Sequence, residues 1–174
     1  MDPASVPRAE RDELWFAALY RGRHGDVLGY ARRRVPAHEA DDVVAEVFTT
    51  AWRRRHEVDD IGRVWLLAAA HHHVQHAARS GARRERVRSA APSPGVAHGA
   101  SDAVLDVVAA LGRLSSADRE VLTLVAWEEL TPAEVAAVLG SSAATVRVRL
   151  FRARRRLAAL LVDDPGIAFL EETT

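Results

Sequence analysis

Residues Leu130 to Leu160 read LTPAEVAAVLGSSAATVRVRLFRARRRLAAL, and they encode two helices with a turn between them. Thr131, Pro132 and Glu134 supply an N-cap, a proline at the first helical position and the acid of a capping box. Val135, Ala136, Val138 and Leu139 give that helix its apolar side. Gly140 ends it and permits a tight turn, because glycine enters left-handed backbone without steric cost. Ser142 can cap the second helix. There Val146, Leu150, Ala153, Leu157 and Leu160 recur at steps of four, three, four and three, the spacing of a buried stripe. Arg147, Arg149, Arg152, Arg154, Arg155 and Arg156 fill much of the remainder. A short helix, a glycine turn and an arginine-rich second helix make a helix-turn-helix. In the major groove of DNA a guanidinium makes two hydrogen bonds to guanine, while further arginines neutralise phosphates. Thr145, Arg147 and Arg149 are therefore placed near bases or adjacent phosphates, with Ser142 and Val146 on the same candidate surface. Arg152 and Arg155 are placed on phosphates. A tri-helical interaction domain of this geometry that never touches DNA is the alternative.

The whole chain has 174 residues, and its 24 basic and 24 acidic groups give a formal net charge of zero. Every basic residue is arginine. The charges are segregated along the chain. Residues 53–88 carry nine arginines against four acids, and residues 141–160 carry six arginines and no acid. Screening confines their fields to about 8–10 Å at physiological salt. Two separate basic surfaces can thus each attract a polyanion on a neutral protein, or else be ordinary solvated helix faces. The absence of cysteine excludes disulfides, cysteine-ligated zinc and iron–sulfur chemistry, and fits a reducing cytoplasm. The opening MDPASVPRAERDE lacks the apolar stretch of a signal peptide. The longest apolar run, Val64 to Ala70, is too short to span a bilayer.

Strand patterns are nearly absent, and Ala, Leu, Arg and Glu dominate, so the fold class reads as all-α. Leu14, Ala17, Ala18, Leu28 and Ala31 keep helical spacing, with a break expected at Gly22–Gly25. Pro36 interrupts, and a second helix starts near Glu39–Asp42 with Val43, Val47, Thr50 and Ala51 on one side. A third starts near Ile61 and covers Trp65, Leu66, Ala69, His72, His73 and His76. Ser80 to Ser101, SGARRERVRSAAPSPGVAHGAS, has no periodic apolar face and reads as a linker. Val104, Val107, Val108 and Leu111 then form a short amphipathic helix. Ser115 and Asp118 open the next one with a capping-box-like start, and it runs to about Glu129. The expectation is two small helical domains, residues 8–80 and 102–162, a flexible linker at 81–101 and an acidic tail at 163–174.

The segment LGRLSSADREVLTLVAWEELTPAEVAAVLGSSAATVRVRLFRARRRL resembles region 4 of the extracytoplasmic-function (ECF) sigma factors. LYRGRHGDVLGYARRRV, EADDVVAEVFTTAWRR and VWLLAAAHHHVQHAARSGARRER resemble region 2, in the family's order. The resemblance implies a sigma factor that directs core RNA polymerase to promoters. Its region 2 would dock on the β′ coiled coil and melt or read the −10 element. Its region 4 would bind the −35 element and the β flap. Asp42 and Glu46, with Val43 beside them, match the polymerase-docking positions, and the i, i+4 spacing puts both carboxylates on one helix face. Acids at that helix start also suit its dipole. Phe48 and Trp52 match core positions. Arg63, Trp65, His72, His76 and Arg79 fall in the part that would face −10 DNA, along with the loop HEVDDIGR. Trp65 matches the family's tryptophan, in a stacking or a core role. An anti-sigma factor is implied as a further partner, in the cytoplasm, and no cofactor is implied. The chain departs from the family in three places. Ala45 stands where Gln is common, His71–His72 where Arg-Asn is common, and His76 where Asp is common.

Two other function classes compete. His72 and His76 have the spacing of two metal ligands on one helix, with His71 and His73 adjacent, but no third ligand and no HEXXH arrangement accompany them. No glycine-rich phosphate loop, GxSxG or cysteine nucleophile is present, so the reading is not an enzyme and has no metal site. The closer rival is a helix-turn-helix transcriptional regulator that does not act as a polymerase subunit.

Overall fold

Among residues 6–85 and 102–162, which the computed structural model describes, every regular element is an α-helix apart from one 3-10 turn at Arg8–Glu10. Most of the expected linker and all of the expected acidic tail lie outside the described residues. Three helices make one unit, and residues 102–136 and 141–162, which carry most of the other four helices, make a second.

In the first unit Asp12 caps α1 (Glu13–Arg32) by accepting from the Trp15 amide at 2.9 Å. The helix runs unbroken through Gly22 and Gly25, contrary to expectation. A glycine costs a helix only about 0.5–1 kcal/mol relative to alanine. Burying a large apolar side chain is worth about 1.5–3 kcal/mol, and α1 buries Trp15, Leu19, Val27 and Tyr30. Pro36, which cannot continue a helix from its N-terminal side, precedes α2 (Ala37–Arg53). The buried side of α2 is Ala40, Val43, Val44, Val47, Phe48 and Ala51. The next helix, α3 (Arg63–Glu85), buries Leu66, Leu67, Ala70 and Val74. It continues five residues past the expected domain boundary, because Ala82, Arg83 and Arg84 favour helix and Gly81 opposes it by only about 1 kcal/mol. All three helices pack against one another.

Arg11 closes this unit. Its side chain is only 2% exposed. The guanidinium donates to the carbonyls of Arg55 at 3.0 Å, Val58 at 2.5 Å and Asp59, and its Nε donates to the Val6 carbonyl at 3.1 Å. It also lies 5.2 Å from the centroid of the Trp15 ring. A buried charge is costly unless its donors are satisfied, and a planar fork of five N–H groups satisfies several carbonyls at once. The carbonyls of Arg55, Val58 and Asp59 follow the C-terminal end of α2, where the helix dipole is negative. Arg11 thereby fastens the α2–α3 loop.

The second unit holds α4 (Asp102–Arg113), α5 (Ser116–Ala126), α6 (Pro132–Leu139) and α7 (Ala143–Val162). Ser115 accepts from the Asp118 amide at 3.2 Å, but the Asp118 carboxylate pairs with Arg156. Helix α5 ends at Ala126, short of the expected Glu129. Glu129 has φ +52°, a left-handed conformation that no α-helix accommodates. The Leu130 amide closes this turn on the Leu124 carbonyl at 3.1 Å. At the start of α6 the capping box is complete. The Thr131 amide donates to Glu134 Oε2 at 2.8 Å, and the Glu134 amide donates to Thr131 Oγ1 at 3.3 Å. Gly140 has φ +60° and makes the turn. Ser142 Oγ accepts from the Thr145 amide at 3.1 Å and caps α7. Helix α7 packs on α5 and α4, burying Val146, Leu150 and Ala153, while Leu157 and Leu160 are half-buried. No helix among the described residues is long and apolar enough to cross a membrane.

Replacing Arg11 with methionine keeps much of its apolar bulk and removes every donor. The variant is expected to lose more than about 2 kcal/mol in urea unfolding followed by tryptophan fluorescence, because several buried carbonyls lose their partner. A loss below about 0.5 kcal/mol, the range of a neutral surface change, would show that the fork is dispensable.

Candidate nucleic-acid interface

The core stripe of α7 faces inward, so the arginines face out. Thr145, Val148, Arg149, Arg152 and Arg156 line an open groove of about 630 Å³, with Ser115, Ala117 and Asp118 from the start of α5 opposite them. The ion pair between Arg156 and the buried Asp118 carboxylate spans it. Arg149 and Arg152 can each offer a guanidinium fork to a guanine edge or a phosphate. Arg147 and Arg149 are both exposed, but two residues along a helix turn them about 160° apart. Only Arg149 lines the groove, so the structure separates two residues that the sequence reading placed together. The Arg155 guanidinium lies 5.9 Å from the Phe151 ring on the outer side. Ser142 and Thr145 hydroxyls are 2.9 Å apart, which ties both to the helix start. Val146 is 2% exposed, which corrects its assignment to the DNA surface: it positions the helix from within.

In the first unit Asp42 and Glu46 are exposed on the outer side of α2 with Ala45 and Thr49. Val43 is 5% exposed and packs in the core, so its side chain is not part of a docking surface. Ala45 and Thr49 border a groove of about 430 Å³ formed with Glu13, Phe16, Tyr20, Phe48 and Trp52. Phe16 meets Trp52 and Phe48 edge-on, with centroids 5.3 and 6.3 Å apart. Phe48 is core as expected, and Trp52 is half-buried. The sequence reading missed this groove. Its signal was the pair Phe16 and Tyr20 at i, i+4 beside the pair Phe48 and Trp52 at i, i+4.

On α3, Trp65, His72 and His76 follow at steps of seven and four and share the face opposite Leu66, Leu67, Ala70 and Val74. His72 and His76 are exposed and Trp65 is half-buried. Arg79 continues that register, and its side chain lies outside the described residues. Arg63 lies about 160° round from Trp65 and its Nε pairs with Asp26 of α1 at 3.2 Å. It braces α3 rather than joining that face. The histidines divide their roles. His71 Nδ1 is 3.1 Å from the hydroxyl of buried Tyr30. His73 Nε2 is 3.4 Å from Thr50 Oγ1. The Thr50 proton goes to the Glu46 carbonyl at 2.8 Å, so His73 Nε2 is the donor in that contact. Burial lowers the His73 pKa, Glu46 opposes this, and His72 and His76 add to it. Among the described residues no three His, Asp or Glu side chains converge to hold a metal ion.

Residues 19–84 match the model for sigma-70 region 2, and residues 105–157 match that for sigma-70 region 4. The RNA polymerase sigma factor NccH of Alcaligenes xylosoxydans xylosoxydans is 31% identical over 180 residues, covering 92% of this chain and 95% of NccH. The chain belongs to the ECF group of the sigma-70 family. The ECF RNA polymerase sigma factor SigK of Mycobacterium sp. (strain KMS) is 31% identical, covering 82% of this chain and 80% of SigK. The solved structure of CnrH in complex with the cytosolic domain of CnrY is similar with a TM-score of 0.64 at 30% identity, covering 90% of this chain and 94% of that one. This sigma factor is thus an all-α member of a group whose proteins are not, in general, enzymes.

A histidine whose folded pKa lies below its ordinary 6.5 binds fewer protons folded than unfolded. Its contribution to stability is complete above pH 6.5 and declines as the pH falls through the folded value. His73→Gln is therefore expected to lose less stability than the parent between about pH 7 and pH 5, read as the shift in urea midpoint. Identical shifts in both proteins would contradict the assignment.

Proposed function

We propose that this sigma factor brings core RNA polymerase to specific promoters through separate faces on its two units. The observation that carries the reading is the shared groove of Thr145, Arg149 and Arg152 on the capped second helix of a helix-turn-helix. That helix enters the major groove of the −35 element. Arg149 is the base-edge candidate, and Arg152 and Arg155 are phosphate contacts. Arg147, turned to the other flank, serves the phosphate backbone. The exposed carboxylates of Asp42 and Glu46 dock on the β′ coiled coil, with the neighbouring aromatic groove taking an apolar side chain of the partner. The second unit also meets the β flap. The face of Trp65, His72 and His76, continued by Arg79, meets −10 DNA. With imidazoles in place of the family's usual residues, it reads an atypical element. The work is recognition in the cytoplasm, with no catalytic group, metal or cofactor.

CnrH is solved with the cytosolic domain of CnrY, and a sigma factor RpoE is solved with the anti-sigma factor NepR. By that analogy an anti-sigma factor restrains this chain.

Two variants separate the faces. Arg149→Ala is expected to weaken binding of the full chain to promoter duplex by about 1–3 kcal/mol while leaving co-elution with core polymerase intact. Glu46→Ala is expected to do the reverse. A chain that binds duplex yet never co-elutes with core would instead be a helix-turn-helix regulator outside polymerase.

A further inference from the structure

The groove beside α7 is not lined by charge alone. Val148 lines it next to Arg149 and one helical turn before Arg152, and it is 50% exposed. Among the described residues around that groove it is the only aliphatic side chain larger than alanine. Neither core packing nor helix formation accounts for a valine there. The buried residues of this helix are Val146, Leu150 and Ala153, and Val148 stands apart from them. Valine is also a poorer helix former than alanine, because its branched Cβ loses rotamer freedom against the preceding turn. Phe151 stands outside the groove, toward Arg155. Phosphate binding explains the arginines of the groove but not the valine among them.

Its position suits one kind of chemical group. Val148 is the sixth residue of α7, and in a helix-turn-helix the first turns of the second helix are those that meet base edges. An arginine reaches a phosphate or a base from a distance. A valine is short and touches only what the helix backbone itself approaches. Ala144, one turn earlier on the same lining, leaves room for that approach. On the base edges of the major groove the one apolar group is the 5-methyl of thymine. An aliphatic side chain packed on it removes apolar surface from water on both partners. The same side chain packed on an amino or carbonyl edge would cut that group off from water without replacing its hydrogen bond.

We propose that Val148 determines specificity in the −35 contact by packing on the 5-methyl group of a thymine. The inference rests on the DNA-binding reading of α7 given above and deepens it. Arg149 supplies a polar readout of one base edge, and Val148 supplies a separate, apolar readout beside it. The two are distinguishable because removing a methyl group from the DNA changes neither its phosphates nor its hydrogen-bonding atoms.

The test uses the full chain. Its preferred site is first enriched from a library of duplexes with a randomised centre, at a salt concentration where mixed-sequence duplex binds weakly. The enriched duplex is then remade with each thymine in turn replaced by deoxyuridine, which lacks only the 5-methyl group. One of these replacements is expected to weaken binding of the parent about four-fold, the worth of one buried methyl group. Val148→Ala places a good helix former at an exposed position, so the fold is kept. This variant is expected to bind the unmodified duplex at least as weakly as the parent binds the replaced one, and to lose nothing further from the replacement. A parent insensitive to every replacement overturns the inference. So does a Val148→Ala chain that keeps the parent's sensitivity, because the methyl group then meets another residue. In either case a loss of affinity for the enriched duplex in Arg149→Ala leaves the DNA reading standing. If the parent enriches no sequence at all, the DNA reading of α7 fails and the inference fails with it.

Discussion

The burial of Val146, Leu150 and Ala153 sets the rotation of α7, and the chemistry of the second unit follows from it. Turning that helix by one residue, about 100°, would carry arginines toward the core and apolar side chains to water. Buried guanidinium groups without partners are strongly unfavourable, so this rotation has no close competitor. The caps add a second constraint. The reciprocal bonds of Thr131 and Glu134, the turn at Gly140 and the bond from the Thr145 amide to Ser142 fix where each helix begins. Position along the axis and rotation about it together place Thr145, Arg149 and Arg152 in one groove. In the first unit the valines of α2 do the same for Asp42 and Glu46.

The charge distribution makes sense in these terms. A net charge of zero keeps the free protein from attracting polyanions indiscriminately at long range, while the arginine face keeps a strong field at close range. The departures from the family also acquire physical meaning. Ala45 gives up a polar side chain and opens onto a groove walled by Phe16, Tyr20, Phe48 and Trp52. His71 and His73 are drawn into contacts with Tyr30 and Thr50, which leaves His72 and His76 as the outward pair.

Much of this was legible in the sequence, because it depends on local chemistry. The capping box, the glycine turn, the buried stripe and the i, i+4 carboxylates are all spacings within one helix. The failures have a common cause. The expected break at Gly22–Gly25 weighed a local cost without the burial of Trp15, Leu19 and Tyr30 that overrides it. Arg11 reads as one more surface charge, and only the tertiary fold shows it threaded among the carbonyls of a loop more than forty residues away. Arg63 reads as part of the DNA face, but its partner Asp26 lies on another helix. The pairing of Arg147 with Arg149 ignored that neighbours in sequence diverge around a helix. Val43 and Val146 show the opposite error, where a motif position was read as a contact although its side chain packs inward.

The central claim is that one unit holds the polymerase while the other selects the site. Transcription in vitro with purified core RNA polymerase and a genomic fragment library, followed by mapping of RNA 5′ ends, tests it most directly. The account predicts a small set of defined start sites that appear only when this chain is added, each with a shared sequence upstream at the −35 spacing. Random initiation that is the same with and without the chain would contradict it.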